Sequence, residues 1–189
     1  TPELVEDYVR FFDVTPHDQH VEEHKCYCVC WCNDDYEGKD FSTAQKRREI
    51  AKQYVTGNHI QGYLAYLGDT VVGWCNANTK MDCLKCVSWR YFMDYVPLEK
   101  ANSGTKVKSI FCFVIAPEMK RQGIASKLLD RVCEDALLDG FDIVEVYPYI
   151  ESSHLSSDFG GYAEMYEKHG FHISMKTEKG LVMRKILKP

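Results

Sequence analysis

Lys120-Arg121-Gln122-Gly123-Ile124-Ala125 is the stretch of this chain whose residue types and spacing most plainly describe a ligand. A β-prone apolar run, Val107 and then Ile110, Phe111, Cys112, Phe113, Val114 and Ile115, leads toward it through Pro117, which cannot donate to a ladder and so marks a strand end. Beyond it Ile124, Leu128, Leu129, Val132, Ala136 and Leu137 recur at helical spacing until Gly140 offers a left-handed stop. A helix beginning near Gln122 or Gly123 presents amide N–H groups with no partner inside the helix. They lie at the positive end of the macrodipole, and Lys120 and Arg121 add full charges. Such a junction suits an anion, and phosphate is the natural guest. Gly123 has no Cβ and Ala125 only a methyl, so a phosphate can approach the backbone closely.

The other residues with an obvious chemistry are the nine cysteines. Cys26, Cys28, Cys30 and Cys32 alternate strictly, which predicts a strand from 26 to 32 with its thiols on one face, successive ones about 6.5–7 Å apart. A single tetrahedral zinc, with Zn–S near roughly 2.3 Å, cannot gather all four. The same alternation reads as a core face, because buried cysteine behaves as a small hydrophobe. Cys83-Leu84-Lys85-Cys86 has better ligand spacing, with His17, His20, His24 or Cys26 to complete a set, but no second Cys-x-x-Cys follows. No metal site is assigned, and an exposed Cys83 or Cys86 would be redox-active.

The elements that must position these residues follow from periodicity. Pro2 precedes an apolar stripe of Leu4, Val5, Tyr8, Phe11 and Phe12, a helix from about Glu3 to Phe12. Ser42 with Gln45 forms a capping box for a helix through Val55, ended by Gly57. Gly68-Asp69 turns a hairpin between residues 60–67 and 70–77. Residues 79–104 show no sustained period, and such an irregular insertion is often functional. A strand follows from Phe141 to Tyr147, ending at Pro148. Lys179-Gly180 turns the last pair of strands, which finishes with 181–187. Helices alternating with strands in this order predict an α/β chain with a mixed sheet and helices packed on it.

At this point the chain resembles the GCN5-related N-acetyltransferase (GNAT) family, whose acetyl-CoA loop is written Arg/Gln-x-x-Gly-x-Gly/Ala. Lys120 stands where the family usually has Arg or Gln, keeping the charge. The segment Ala163-Glu164-Met165-Tyr166-Glu167-Lys168-His169-Gly170-Phe171 looks like the family's fourth helix running into its sixth strand. The resemblance spans at least 106–186. It implies a mostly antiparallel central sheet and direct transfer of acetyl from coenzyme A to a primary amine of a small molecule or peptide. It also implies that backbone groups of Phe113, Val114 and Ile115 bond the acetyl carbonyl and the pantetheine amides. Lys120, Arg121, Gln122, Gly123, Ile124, Ala125 and Ser126 would hold the rest of the cofactor. Tyr166 matches the position of a thiolate-protonating tyrosine, although an aromatic packed with Tyr162, Met165 and His169 would read the same. Where the family often has an Asn near the start of this helix, the chain has Asp158-Phe159-Gly160-Gly161.

An alkylammonium of pKa near roughly 10.4 holds its proton at pH 7 by about 4.6 kcal/mol, so the reaction needs a route for it. Glu145, flanked by Val144 and Val146, lies near where family members carry a base; a solvent-facing strand charge is the alternative. Glu151, His154 and Asp158 follow in a loop that would border the acceptor.

Composition fits these expectations. The chain has 189 residues, 45% hydrophobic and 27% charged, enough for one domain over 1–189 with a sizeable core. A net charge of −5, from 23 basic and 28 acidic residues, gives no reason to expect nucleic acid as a partner. No apolar stretch approaches the roughly 20 residues of a membrane span, and no secretory pattern opens the chain, so the cytoplasm is the expected compartment. Dimers are common in the family, which makes a homodimer compatible with the resemblance. Two other readings stand beside the transferase: a non-catalytic acyl-CoA-binding module, and a cysteine-based zinc or redox protein.

Overall fold

The computed structural model describes residues 1–16, 21–32, 38–100, 103–148 and 157–188. A 3-10 turn, Pro2–Leu4, leads into α1 (Val5–Val14), followed by α2 (Ala44–Thr56) and the hairpin β1 (Gly62–Leu67) and β2 (Thr70–Thr79). After a 3-10 turn at Lys80–Lys85 come α3 (Val87–Phe92), β3 (Val107–Ile115), α4 (Ile124–Leu138) and β4 (Ile143–Val146). Two short helices, α5 (Ser157–Gly160) and α6 (Ala163–Lys168), precede the closing hairpin of β5 (His172–Lys176) and β6 (Leu181–Ile186).

The strands form one sheet in the order β1-β2-β3-β4-β6-β5. Among the described residues only β3 and β4 run parallel, joined through α4, and the other neighbouring pairs are antiparallel. The sheet is therefore mixed and mostly antiparallel, as expected. The apolar run in β3 is buried along its length because both faces of the sheet are covered. On one face Trp74, Phe111 and Val114 meet Tyr8, Phe12 and Tyr54 of α1 and α2. On the other Cys75, Phe113 and Val144 meet Leu129 and Val132 of α4 and Tyr166 of α6.

The expected strand at 26–32 is absent. Tyr27 and Cys28 both adopt left-handed backbone, and Val29–Trp31 is a 3-10 turn. A strand needs a partner ladder, whereas the polar groups here are met by side chains. The Tyr27 carbonyl accepts from the Tyr8 hydroxyl at 2.6 Å, and the Lys25 carbonyl accepts from Arg47 Nε at 2.8 Å. Asn76 and Asn78 amides donate to the Trp31 carbonyl at 3.3 and 3.4 Å. Alternation here recorded burial, with Cys28 and Cys32 in the core and Cys26 and Cys30 half-buried, without recording strand geometry.

Two smaller expectations also shift. The cap of α2 is Thr43, whose Oγ1 accepts from the Lys46 amide at 3.2 Å, one residue after Ser42. Cys83 and Cys86 are fully buried, with the Cys83 thiol donating to the Thr79 carbonyl at 3.3 Å, so neither is an exposed redox thiol. His17 and His20 lie outside the described residues. Among the described residues no three His, Cys, Asp or Glu side chains gather as a metal set.

Candidate active site

The centre of the molecule is a parting of two parallel strands. β3 and β4 pair from Val107↔Ile143 to Ile110↔Val146, where β4 ends and Tyr147-Pro148 begins. β3 runs on to Ile115, still paired with β2 through Asn76↔Cys112, Cys75↔Phe113, Trp74↔Val114 and Gly73↔Ile115. Between those ladders the register slips, since Asn76 pairs with Cys112 and Ala77 with Ile110, leaving Phe111 as the extra residue of a bulge. A bulge adds local twist, and this one falls where the pairing of β3 with β4 ends. It also puts Phe111 and Cys112 in the same cluster, on the α1 and α2 side, while Ile110 and Phe113 face α4. Among the described residues no strand pairs with 111–115 on the β4 side, and α5 packs against β3.

The end of β3 delivers the chain into the basic loop. Pro117–Met119 makes a 3-10 turn, Arg121 and Gly123 both take positive φ (62° and 81°), and Ile124 opens α4. No side chain caps this helix, and its first intrahelical bond runs from the Lys127 amide to the Gly123 carbonyl at 3.0 Å. The amides of Ile124, Ala125 and Ser126 ahead of it have no intrahelical acceptor. Gln122 turns back, its amide donating to the Glu118 carbonyl at 2.9 Å, while Lys120, Arg121, Gln122 and Gly123 are exposed. A Cβ built on Gly123 would meet nothing within 4 Å, so it is the backbone angle that selects glycine, and the space above the loop is open. A non-glycine residue at left-handed φ costs about 1–2 kcal/mol, which Arg121 bears in this loop. Open space, uncapped amides, the positive helix end and two cationic residues fit a pyrophosphate.

Glu145 stands one pair before the parting, opposite Ser109 on β3. It has no exposure, and its carboxylate accepts from the Tyr147 hydroxyl at 2.6 Å, from Arg184 Nε at 2.6 Å, and pairs with Lys80 Nζ at 2.8 Å. Glu99 closes the cluster against Arg184 at 2.5 Å and Lys80 at 3.2 Å, and Ser109 bonds the Tyr147 hydroxyl at 2.9 Å. Two cations thus face two carboxylates inside the protein, and burial followed by the Glu145 charge pushes the Tyr147 phenol well up. This arrangement differs from the solvent-facing strand charge and from a base open to an amine. Tyr166 is also buried, its hydroxyl donating to the Gly160 carbonyl at 2.7 Å and its ring against Phe171; burial keeps the phenol protonated. Glu151 and His154 lie outside the described residues.

The sequence pattern of the Acetyltransferase (GNAT) family matches residues 24–171. The chain belongs to that family. Its fold is shared with the paia N-acetyltransferase of Thermoplasma acidophilum, solved in complex with coenzyme A, at 14% identity over 98% of this chain and 94% of that one, TM-score 0.53. It is also shared with an uncharacterized protein of Bacillus halodurans, at 13% identity over 98% of this chain and 80% of that one, TM-score 0.57. No protein of curated function matches the chain.

In this GNAT chain the loop residues Lys120 to Ser126 and the backbone of Phe113, Val114 and Ile115 fall on consecutive stretches around the strand parting, whereas the Glu145 carboxylate, one pair before it, is taken up by the buried ion cluster. A feature that periodicity did not reveal lies beside the parting on the α1 and α2 side. It is a cavity of about 620 Å³ lined by Trp31, Phe111, Tyr147, Met93 and Phe159, with Cys26, Cys30 and Cys112. Its walls come from segments far apart in the chain, and the only sequence signal was the aromatic content of the irregular stretch 79–104. Lys80, Glu99 and Arg184 gave no signal at all, because nothing in their spacing marks a buried ion cluster.

Proposed function

We propose that this protein transfers acetyl from acetyl-CoA to a primary amine by direct attack, without a covalent acyl-enzyme. The observation that carries the reading is the uncapped start of α4, with Gly123 at positive φ, placed immediately after a strand that has parted from its parallel neighbour. Lys120, Arg121 and the amides of Gln122 to Ser126 hold the pyrophosphate of the cosubstrate. Backbone groups of Phe113, Val114 and Ile115, unpaired by β4, hold the pantetheine amides and the acetyl carbonyl. Donors fixed in advance at a developing oxyanion need no reorganisation during the reaction. Tyr166, protonated at neutral pH, is the proton donor to the leaving thiolate once its bond to Gly160 opens, and its phenolate takes a proton back from solvent to close the cycle. Glu145 is assigned a scaffolding role in place of the base role, because two cations and a phenol already engage its carboxylate. The amine loses its proton to solvent water.

The second reading, a CoA-binding module without turnover, is favoured by the engagement of both Glu145 and Tyr166 in internal contacts. Calorimetric titration with acetyl-CoA, followed by assay of thiol release against an amine panel, separates the two. One-site binding with amine-dependent thiol release is expected. Binding with no release from any amine would leave the module, and absence of binding would overturn both.

A further inference from the structure

The cavity beside the strand parting has a volume suited to a small ligand, about 620 Å³, and a composition that is selective. Three rings form a column along one wall. Trp31 stacks on Phe111 with centroids 4.9 Å apart and planes 13° from parallel, and Phe111 stacks on Tyr147 at 5.3 Å and 23°. Trp89 sits edge-on against both Phe111 and Tyr147, at 5.8 and 6.0 Å. The Tyr147 hydroxyl is tied to Glu145 and Ser109, so that ring presents its apolar body rather than its polar tip to the cavity. Met93 and Phe159 complete the lining, and Phe92, 67% exposed, stands at the rim.

The thiols on this wall are neutral. Burial pushes Cys26 up to about 12 and Cys30 well above its ordinary value, while the hydrogen bond to Cys28 together with burial raises Cys112. They therefore contribute apolar surface at pH 7. Among the described residues, the charges that line the cavity are Glu178 and Lys179, and Lys179 pairs with Asp94. With Lys179 engaged by Asp94, Glu178 is one counter-charge, too few for a polyvalent cation, whose desolvation against rings would go uncompensated. One ammonium near aromatic faces is attracted by the ring quadrupole.

We propose that the acceptor is a monovalent amine bearing a flat or bulky apolar group within a few bonds of its nitrogen, which the ring column holds while the amine points toward residues 111–115. This rests on the acetyltransferase reading above. Two sources share that chemistry, a free arylalkylamine and the amino terminus of a chain beginning with a large apolar residue.

The test pairs binding with turnover. The full chain is titrated with 2-phenylethylamine, with a peptide beginning in Met or Phe, and with a linear triamine, in the presence of CoA, and binding is read by calorimetry. The same compounds are then assayed with acetyl-CoA. The apolar amines are expected to bind saturably and at least tenfold more tightly than the triamine, with the preferred one of the two naming the source. Phe92→Ser, at an exposed position, should raise the KM for apolar amines severalfold while the affinity for CoA stays constant. Equal or tighter binding of the triamine, or no binding of any apolar amine, would overturn the proposal. Selective apolar binding with no thiol release from any compound would sustain the pocket and sink the transferase reading, so the two failures are distinguishable.

Discussion

The cradle at the start of α4 and the aromatic cavity across the sheet are built by opposite means. The cradle is local and made of main chain: a few consecutive residues, a left-handed glycine and amides left over by helix geometry. The cavity is non-local and made of side chains, with rings contributed by the Cys26–Cys32 segment, α3, β3, the end of β4 and α5. The first kind of site requires a particular backbone angle at Gly123 and tolerates varied side chains around it. The second depends on the burial of partners tens of residues away. A backbone cradle should therefore lose function without losing stability, and a side-chain wall should lose stability when its supports are cut.

The hardest test of that contrast is Glu145→Ala. Removing one partner from a buried ion cluster leaves Lys80 and Arg184 with a single carboxylate, Glu99, and the Tyr147 hydroxyl with Ser109 alone. Breaking such a buried pair typically costs about 3–5 kcal/mol, which urea unfolding would register. A double variant, Lys80→Met with Glu145→Met, keeps the Arg184–Glu99 pair and should recover a large part of that loss. A catalytic base would behave differently: stability would hold and the pH–rate profile would lose its acidic limb.

Gly123→Glu is the complementary break. It places a carboxylate in the proposed pyrophosphate cradle, and CoA affinity should fall by on the order of a hundredfold, about 2.8 kcal/mol. Its position is exposed, with open space around the Cβ, so unfolding should shift only by the left-handed strain of about 1–2 kcal/mol. Gly123→Asn, a residue that tolerates positive φ, should retain affinity within a few-fold. Unchanged CoA binding in the Glu variant would remove the cradle from its assigned place.

Tyr166→Phe probes a residue that belongs to both kinds of region. As a packed aromatic it would lose one hydrogen bond to Gly160, roughly 1 kcal/mol of stability. As the proton donor it would also lose about a hundredfold in kcat. A change in stability alone would return Tyr166 to the core.

The same contrast explains which parts of the fold were legible in the sequence. β3, the Gly-containing loop and α4 were readable because a strand period, a proline, a glycine and a helix period follow one another within one stretch, each with its own local cause. The Gly68-Asp69 hairpin was readable for the same reason, and β1 and β2 flank it as expected. The segment at Cys26–Cys32 was misread because alternation reports which side chains are buried, and a 3-10 turn propped by Tyr8, Arg47 and two asparagines buries the same residues as a strand would. The surroundings of Glu145 were not legible because alternation on β4 puts a charge between two apolar residues whether its far side is water or two cations. The cations come from Lys80 and Arg184, remote in sequence. Long-range pairing of charges and rings has no period to detect.

The support of the misread segment gives the smallest expected effect. Asp13 on α1 accepts from Arg48 on α2 through both carboxylate oxygens, at 2.9 Å each, and from the Tyr27 hydroxyl at 2.9 Å, pinning α1, α2 and the 26–32 segment together. The hydrogen bonds from Arg48 hold the Asp13 carboxyl below its ordinary value despite some burial, with Tyr27 adding to them. A carboxylate depressed in the folded state binds its proton less readily there than in the unfolded chain. Its stabilisation is therefore complete above the unfolded value, near roughly 3.9, and is lost as pH falls through the lower native one. Asp13→Asn should accordingly lower stability at pH 7 by at most about 1 kcal/mol, since the pair is partly exposed and screened. The difference from the parent protein should shrink on acidification below about pH 4. Unfolding midpoints measured at pH 7 and pH 3 would show it. A gap that persisted undiminished at pH 3 would mean that the contact acts through packing of Tyr27 against Phe12, whose rings lie 5.7 Å apart, and not through the ion pair.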